Sequence, residues 1–171
     1  VEHPGGRRLR NHGGSGHFGH IIKRTKRKKV VRILLQNIGG IGFVTGERSR
    51  ETLKMERLRD LVIQHSVDIF CLTEVNKDWR MLPYNNSVWA GTQGWRRHRR
   101  LQVSQNLSCA PFKRAMVGGT VIGCLDDVVF RISDQGKDGR KLGRWSYITF
   151  EGKNKLKTTL LTAYCPVISH E

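Results

Sequence analysis

The chain has 171 residues, with 31 Lys and Arg against 14 Asp and Glu and a formal charge of +17 at pH 7, a length that holds one domain or part of one. With 37% hydrophobic and 26% charged residues it is too apolar for disorder throughout, and no apolar run nears the roughly 18 residues of a membrane span. So large a positive excess points to an anionic partner, nucleic acid above all.

Residues 1–29 read as a basic tail rich in Gly and His, with no helical or strand period, and are expected to be disordered. The folded part is expected over residues 30–171. Val30 to Gln36 is a β-branched, Leu-rich run that stops at the turn sequence Asn37-Ile38-Gly39-Gly40, so it predicts a buried strand. From Glu51 to His65 the apolar Met55, Leu58, Leu61 and Val62 recur at helical spacing, and Ser49 is a candidate cap. Val67 to Leu72 predicts a second buried strand, ending in Thr73-Glu74. Strand, helix and strand within some forty residues imply a crossover unit inside one sheet. Residues 76–115 show little periodicity and are expected to form long surface loops with one short element. Four short apolar runs follow, Thr120 to Cys124, Val128 to Ile132, Trp145 to Phe150 and Leu156 to Ala163, separated by turn chemistry such as Asp138-Gly139. They predict antiparallel hairpin strands. The cysteines, Cys71, Cys109, Cys124 and Cys165, have no C-x-x-C spacing, which suits a reduced, intracellular setting; the charge extends that expectation to the nucleus.

Asn37 and Glu74 stand at the carboxyl ends of the two predicted buried strands. A carboxylate and an amide oxygen are hard ligands of the kind Mg²⁺ takes together with water and phosphate. Each alone is ordinary, Asn before Gly-Gly as a turn former and Glu at a strand end as a solvated group. Tyr164 ends the run Leu160-Leu161-Thr162-Ala163 and precedes Pro166; its phenol is either an edge aromatic or a hydrogen-bond partner for phosphate. Lys26, Arg27, Lys28 and Lys29, and the cluster Trp95, Arg96, Arg97, Arg99 and Arg100, are candidate nucleic-acid contacts, because Arg forks onto phosphate and Trp stacks on bases. Further basic regions run from Lys137 to Arg144 and over Lys153, Lys155 and Lys157. Any one of these clusters could equally be a solvated loop.

The series Gln36-Asn37-Ile38-Gly39-Gly40, Asp68-Ile69-Phe70-Cys71-Leu72-Thr73-Glu74, Gly118-Gly119-Thr120, Gly143-Arg144-Trp145 and Thr162-Ala163-Tyr164-Cys165-Pro166 resembles the amino-terminal half of the endonuclease/exonuclease/phosphatase superfamily. The nearest likeness is to its reverse-transcriptase-associated, retrotransposon type of endonuclease, over about Val30 to Val167. The resemblance implies an α/β (α+β) fold like that of pancreatic deoxyribonuclease, two facing sheets flanked by helices, with the carboxy-terminal half missing. It also implies hydrolysis of phosphodiesters in nucleic acid, DNA for preference, with Mg²⁺ or Mn²⁺ held by Asn37 and Glu74. Tyr164 would lie at the scissile phosphate and Arg144 would support it. Thr73 stands where the family usually has Gln. The later family motifs that activate water, an Asp-x-Asn element and an Asp-His pair, have no match up to Glu171, and His170 does not fill that role. The chain alone is therefore expected to be inactive or nearly so. Two other readings stay open: a non-catalytic basic module that binds nucleic acid, and a phosphatase of the same superfamily acting on inositol phosphates or lipid head groups.

Overall fold

In the computed structural model, which describes residues 26–27, 29–41, 50–81, 87–108 and 116–165, two sheets lie face to face. The predicted cap Ser49 and the predicted basic tail up to residue 25, together with Lys28, Cys109 and His170, fall outside the described residues. Strand β1 (Ile33–Asn37) leads through helix α1 (Arg50–Gln64) to β2 (Ile69–Thr73). β1 and β2 pair in parallel, Ile33 opposite Ile69 and Asn37 opposite Thr73, as a strand-helix-strand crossover requires. Strands β3 (Arg99–Ser104) and β4 (Thr120–Leu125) complete the first sheet in the order β1-β2-β4-β3, and β4 runs antiparallel to both neighbours. The second sheet is β5 (Ile132–Lys137), β6 (Trp145–Glu151) and β7 (Lys157–Ala163), antiparallel throughout.

The side-chain alternation of β2 and β4 builds two cores at once. Phe70, Leu72, Val121 and Leu125 face the helical layer, where Met55, Leu58 and Val62 of α1 pack with Trp79, Val88 and Trp95. Ile69, Cys71, Ile122 and Cys124 face the second sheet and meet Val128, Ile148, Phe150 and Leu160. A strand buried on both faces reads as an unbroken apolar run, which is why the segment around β2 is conspicuous in the sequence. Phe70 is fully buried, worth about 1.5–3 kcal/mol relative to an exposed ring. Its ring lies over Gly123, where a Cβ would come within 2.0 Å of Phe70 Cζ.

Three expected features are different. The run Val30 to Gln36 forms β1 but not a buried strand: it ends its sheet, with one partner strand, and Ile33 and Leu35 are 48% and 69% exposed. Residues 76–115, expected as loops with one short element, hold more than one among the described residues: the short helix α2 (Val88–Gly91), capped by Ser87, and all of β3. Arg99 and Arg100 are strand residues because β3 is an edge strand, where charge is tolerated and its one partner supplies the pairing. The run Val128 to Ile132 is not a strand either. Asp126–Arg131 form a 3-10 helix with Val128 buried between the sheets, and the strand that follows has the polar sequence Ile-Ser-Asp-Gln-Gly-Lys. Pairing with β6, interrupted by a bulge between Ile132 and Asp134, outweighs its weak intrinsic preference for strand. Among the described residues no helix is long and apolar enough to cross a membrane.

Candidate active site at the carboxyl rim of the first sheet

Because β1 and β2 are parallel and in register, their carboxyl ends share one rim. There Asn37 Nδ2 donates to Glu74 Oε1 at 2.7 Å, while Asn37 Oδ1 accepts the Gly39 N–H at 3.1 Å. The amide thus turns the carboxylate and clasps its own turn. The pairing continues past the strands, from Ile38 N to Thr73 O at 3.0 Å and from Gly40 N to Glu74 O at 2.7 Å, so the backbone beneath both side chains is fixed. Lys54 of α1 adds a clamp that the sequence does not announce: its ammonium donates to the carbonyls of Ile38 at 2.8 Å and Gly39 at 2.6 Å.

Glu74 and Asn76 both have left-handed backbone, φ +53° and +52°. This bend lets Asn76 and Gly118 bond reciprocally, Asn76 N to Gly118 O at 2.7 Å and Gly118 N to Asn76 Oδ1 at 2.8 Å. Gly118 in turn carries the ring of Tyr164, since a Cβ there would sit 3.5 Å from Tyr164 Cδ1. Tyr164 is half-buried, and its N–H donates to Arg144 O at 2.7 Å. Asp138, buried at 5% exposure, accepts the backbone N–H groups of Arg140 at 2.9 Å and of Leu142 and Arg144 at 3.2 Å each. It therefore organises the basic segment that leads to Arg144, whose side chain is exposed. The Asp-Gly pair signals a turn in the sequence, but nothing local tells that this carboxylate is buried.

A further acid among the described residues, Asp78, is committed to Arg80. Guanidinium Nε lies 2.9 Å from Oδ1 and Nη2 2.7 Å from Oδ2; these side-chain hydrogen bonds hold the Asp78 carboxyl below its ordinary range. Among the described residues Glu74 Oε2 has no hydrogen-bonding protein partner, and no cluster of three Asp, Glu, His or Cys exists.

The basic stretches singled out in the sequence lie elsewhere. β4 is antiparallel to β2, and β3 pairs Arg99 with Leu125, so the segment 95–100 stands at the opposite, amino rim. Lys26, ion-paired with Asp68, is at that rim too. Six residues from Asp68 to Glu74, at about 3.3 Å each, separate the rims by roughly 20 Å. Trp95 is not a stacking platform: it is 5% exposed, with its ring 5.7 Å from that of Phe70. Arg99 is occupied at α2, donating to Trp89 O and, at 2.6 Å, to Thr92 Oγ1. Arg96 donates to Val62 O at 3.3 Å and lies 3.8 Å from Asp126. Their neighbours are backbone carbonyls and core side chains because β3 belongs to the first sheet and α2 packs against the helical face of that sheet. Arg97 and Arg100 remain exposed, as do Arg27 and Lys29. At the carboxyl rim the cations are instead those of the Lys137 to Arg144 segment.

No protein-family model and no curated protein matches the chain. An endonuclease/exonuclease/phosphatase family protein from Leptotrichia buccalis C-1013-b, known as a solved structure, matches with a TM-score of 0.56 at 12% identity. The match covers 83% of this chain and 57% of that one, so this chain spans little more than half the length of that structure. At such identity the likeness is one of architecture, and the two-sheet α+β fold of this chain is that of an endonuclease/exonuclease/phosphatase family protein.

Proposed function

We propose that the carboxyl rim is part of a divalent-metal phosphodiesterase site acting on nucleic acid, of the endonuclease type associated with reverse transcriptases. The observation that carries this reading is the Asn37–Glu74 hydrogen bond, which orients one carboxylate oxygen and leaves the other without a protein partner among the described residues. The donor set fits Mg²⁺ or Mn²⁺: hard oxygens, one carboxylate, and room for water and phosphate. Bound there, the ion would polarise a phosphoryl oxygen and acidify an attacking water. Glu74 would be its anionic ligand and Asn37 the group that holds Glu74 in place. The Tyr164 phenol would donate to a phosphate oxygen, and Arg144, with Arg140 and Lys141 beside it, would offset the charge of the strand.

Asp78 and Asp138 are already engaged, so among the described residues no carboxylate or imidazole is available at this rim to take the proton of water. We assign that role to a further segment of the fold, joined to this chain or separate from it. Such a segment would also add strands to β1 and β7, which end their sheets with Leu35 and Leu161 69% and 59% exposed. A cleft of about 330 Å³ between those edges, lined by Leu35, Asn37, Thr73, Leu161 and Thr162, is where it would enter. The single available carboxylate favours one second reading, a basic module that binds nucleic acid without cleaving it.

The direct test is Mn²⁺ binding followed by paramagnetic resonance, with plasmid nicking measured alongside. The proposal expects a bound ion that Glu74→Gln releases. Equal binding in that variant refutes the metal site, a bound ion without nicking even after a segment carrying the water-activating group is supplied selects the non-catalytic module, and phosphate release from an inositol polyphosphate selects the phosphatase.

A further inference from the structure

The amino rim carries a surface that the candidate active site does not use. Phe130, at the end of the 3-10 helix Asp126–Arg131, is 69% exposed. It is held edge-on by His98, with ring centroids 4.9 Å apart and planes at 67°, and the His98 carbonyl accepts the Asp126 N–H at 2.9 Å. The ring is thus braced from one side and bare on the rest, unlike Trp95, which is in the core. Arg131 follows Phe130 in the chain, Arg97 precedes His98 and Arg100 lies two residues beyond it on β3, and all three are exposed. Arg100 is steadied by Gln135 Oε1 at 3.2 Å. The acids on these segments include Asp127, Glu151 and Asp134, all exposed, the last accepting the Tyr147 hydroxyl, and Asp126, which lies 3.8 Å from Arg96. Along the same rim follow Arg27 and Lys29 on one side and the turn Lys153–Lys155 on the other, all exposed.

From this arrangement we infer that the amino rim is a second binding surface, for single-stranded nucleic acid, in which an unpaired base stacks on Phe130 and the flanking phosphates lie on Arg97, Arg100 and Arg131. An exposed π-face together with exposed arginines on the segments that carry it and its His98 brace suits a strand whose bases are free; a duplex keeps its bases in the stack and offers only phosphates. A bilayer or sulfated polyanion would use the same cations but has no base for the ring. The surface points away from Asn37 and Glu74, at the other end of β2, so it works as an anchor and does not depend on the rim's chemistry.

The experiment titrates the full chain into a 12-nucleotide single strand bearing one 2-aminopurine, in the absence of divalent metal, with heparin and anionic phosphatidylserine vesicles as base-free comparisons. Phe130→Ala is expected to weaken oligonucleotide binding about five- to hundredfold, the range for one lost stacked base, and to abolish the 2-aminopurine quench while heparin binding stays unchanged. Phe130→Leu, which keeps the apolar bulk without the π-system, should behave like Phe130→Ala, which separates stacking from simple contact. The triple change Arg97→Ala, Arg100→Ala, Arg131→Ala should weaken the oligonucleotide and heparin alike and flatten the salt dependence. Unchanged oligonucleotide affinity and quench in Phe130→Ala, with the fold intact by circular dichroism, overturns the inference. Equal losses for heparin or vesicles in that variant overturn it as well. The titration contains no divalent metal and its quench reports stacking on Phe130, so the failure of the phosphodiesterase reading would not be mistaken for failure here.

Discussion

Asn37 and Glu74 meet side chain to side chain at 2.7 Å although 37 residues separate them, and they do so because parallel strands in register end at the same level. The bond uses the donor half of the amide and one carboxylate oxygen; the amide oxygen accepts the Gly39 N–H, and Glu74 Oε2 is left without a protein partner among the described residues, above a backbone that Lys54 and the Gly40–Glu74 bond hold still.

For this pair, Asn37→Ala should weaken Mn²⁺ binding roughly tenfold to hundredfold, the usual effect of losing a group that orients a metal ligand. Glu74→Gln should weaken it further, since the only anionic donor goes. Resonance titrations of both variants, with melting curves to confirm folding, measure this; a larger loss in Asn37→Ala than in Glu74→Gln would invert the assigned roles.

Asp138→Ala should destabilise the chain by roughly 1–3 kcal/mol, because three backbone N–H groups of the segment 140–144 lose their acceptor at a buried position. The Arg144–Tyr164 bond depends on that segment, so hydrogen exchange at the Tyr164 amide should accelerate in step. Loss of stability without faster exchange at Tyr164 would detach Asp138 from the site.

Gly143→Ala is expected to be among the harsher single changes. The residue has φ +70°, and a Cβ would lie 2.6 Å from Asn106 N and 2.7 Å from Gln105 C, backbone atoms that cannot swing aside. A cost of about 1–3 kcal/mol follows from the strained conformation alone, and the clash adds to it. Chemical denaturation reads the difference.

Acid titration should expose the Asp78–Arg80 pair. Arg80 holds the Asp78 carboxyl below its ordinary 3.8, so the folded state favours the ionised form. The pair's contribution is complete above the unfolded pKa and is lost as pH falls through the lower folded value. The stability gap between the native chain and Asp78→Asn should therefore stay constant from neutral pH down to about 5 and close below about 4. A gap that closes nearer neutrality would show that another group is responsible.

Alkylation should separate the cysteines by depth. Burial, with the neighbouring Cys71, pushes the Cys124 thiol up to about 12, and burial raises Cys71 as well, whereas Cys165 is exposed. Iodoacetamide at pH 8 should modify Cys165 in the native chain and reach Cys71 and Cys124 only after unfolding. Native modification of Cys124 would indicate local opening between the sheets.

Elements whose signal is local can be read from the residues alone. β1, α1, β2, β6 and β7 are legible from apolar runs, helical spacing and turn residues, and the parallel crossover brings the carboxyl ends bearing Asn37 and Glu74 to one rim. The residues alone also show that the chain is strongly basic. Tertiary structure decided what depends on a partner strand or a direction. β5 is a strand through its ladder with β6 and not through its composition, and Val128 is buried in a 3-10 helix because the space between the sheets has to be filled there. The Trp95 to Arg100 cluster looks uniform in sequence, yet the packing of α2 and β3 buries Trp95 and engages Arg96 and Arg99, while Arg97 and Arg100 face water. Charge has no direction along a chain. It acquired one only when the antiparallel turn of β4 carried those arginines to the amino rim, leaving the Lys137 to Arg144 segment, organised by the buried Asp138, as the cationic neighbour of Glu74 and Tyr164.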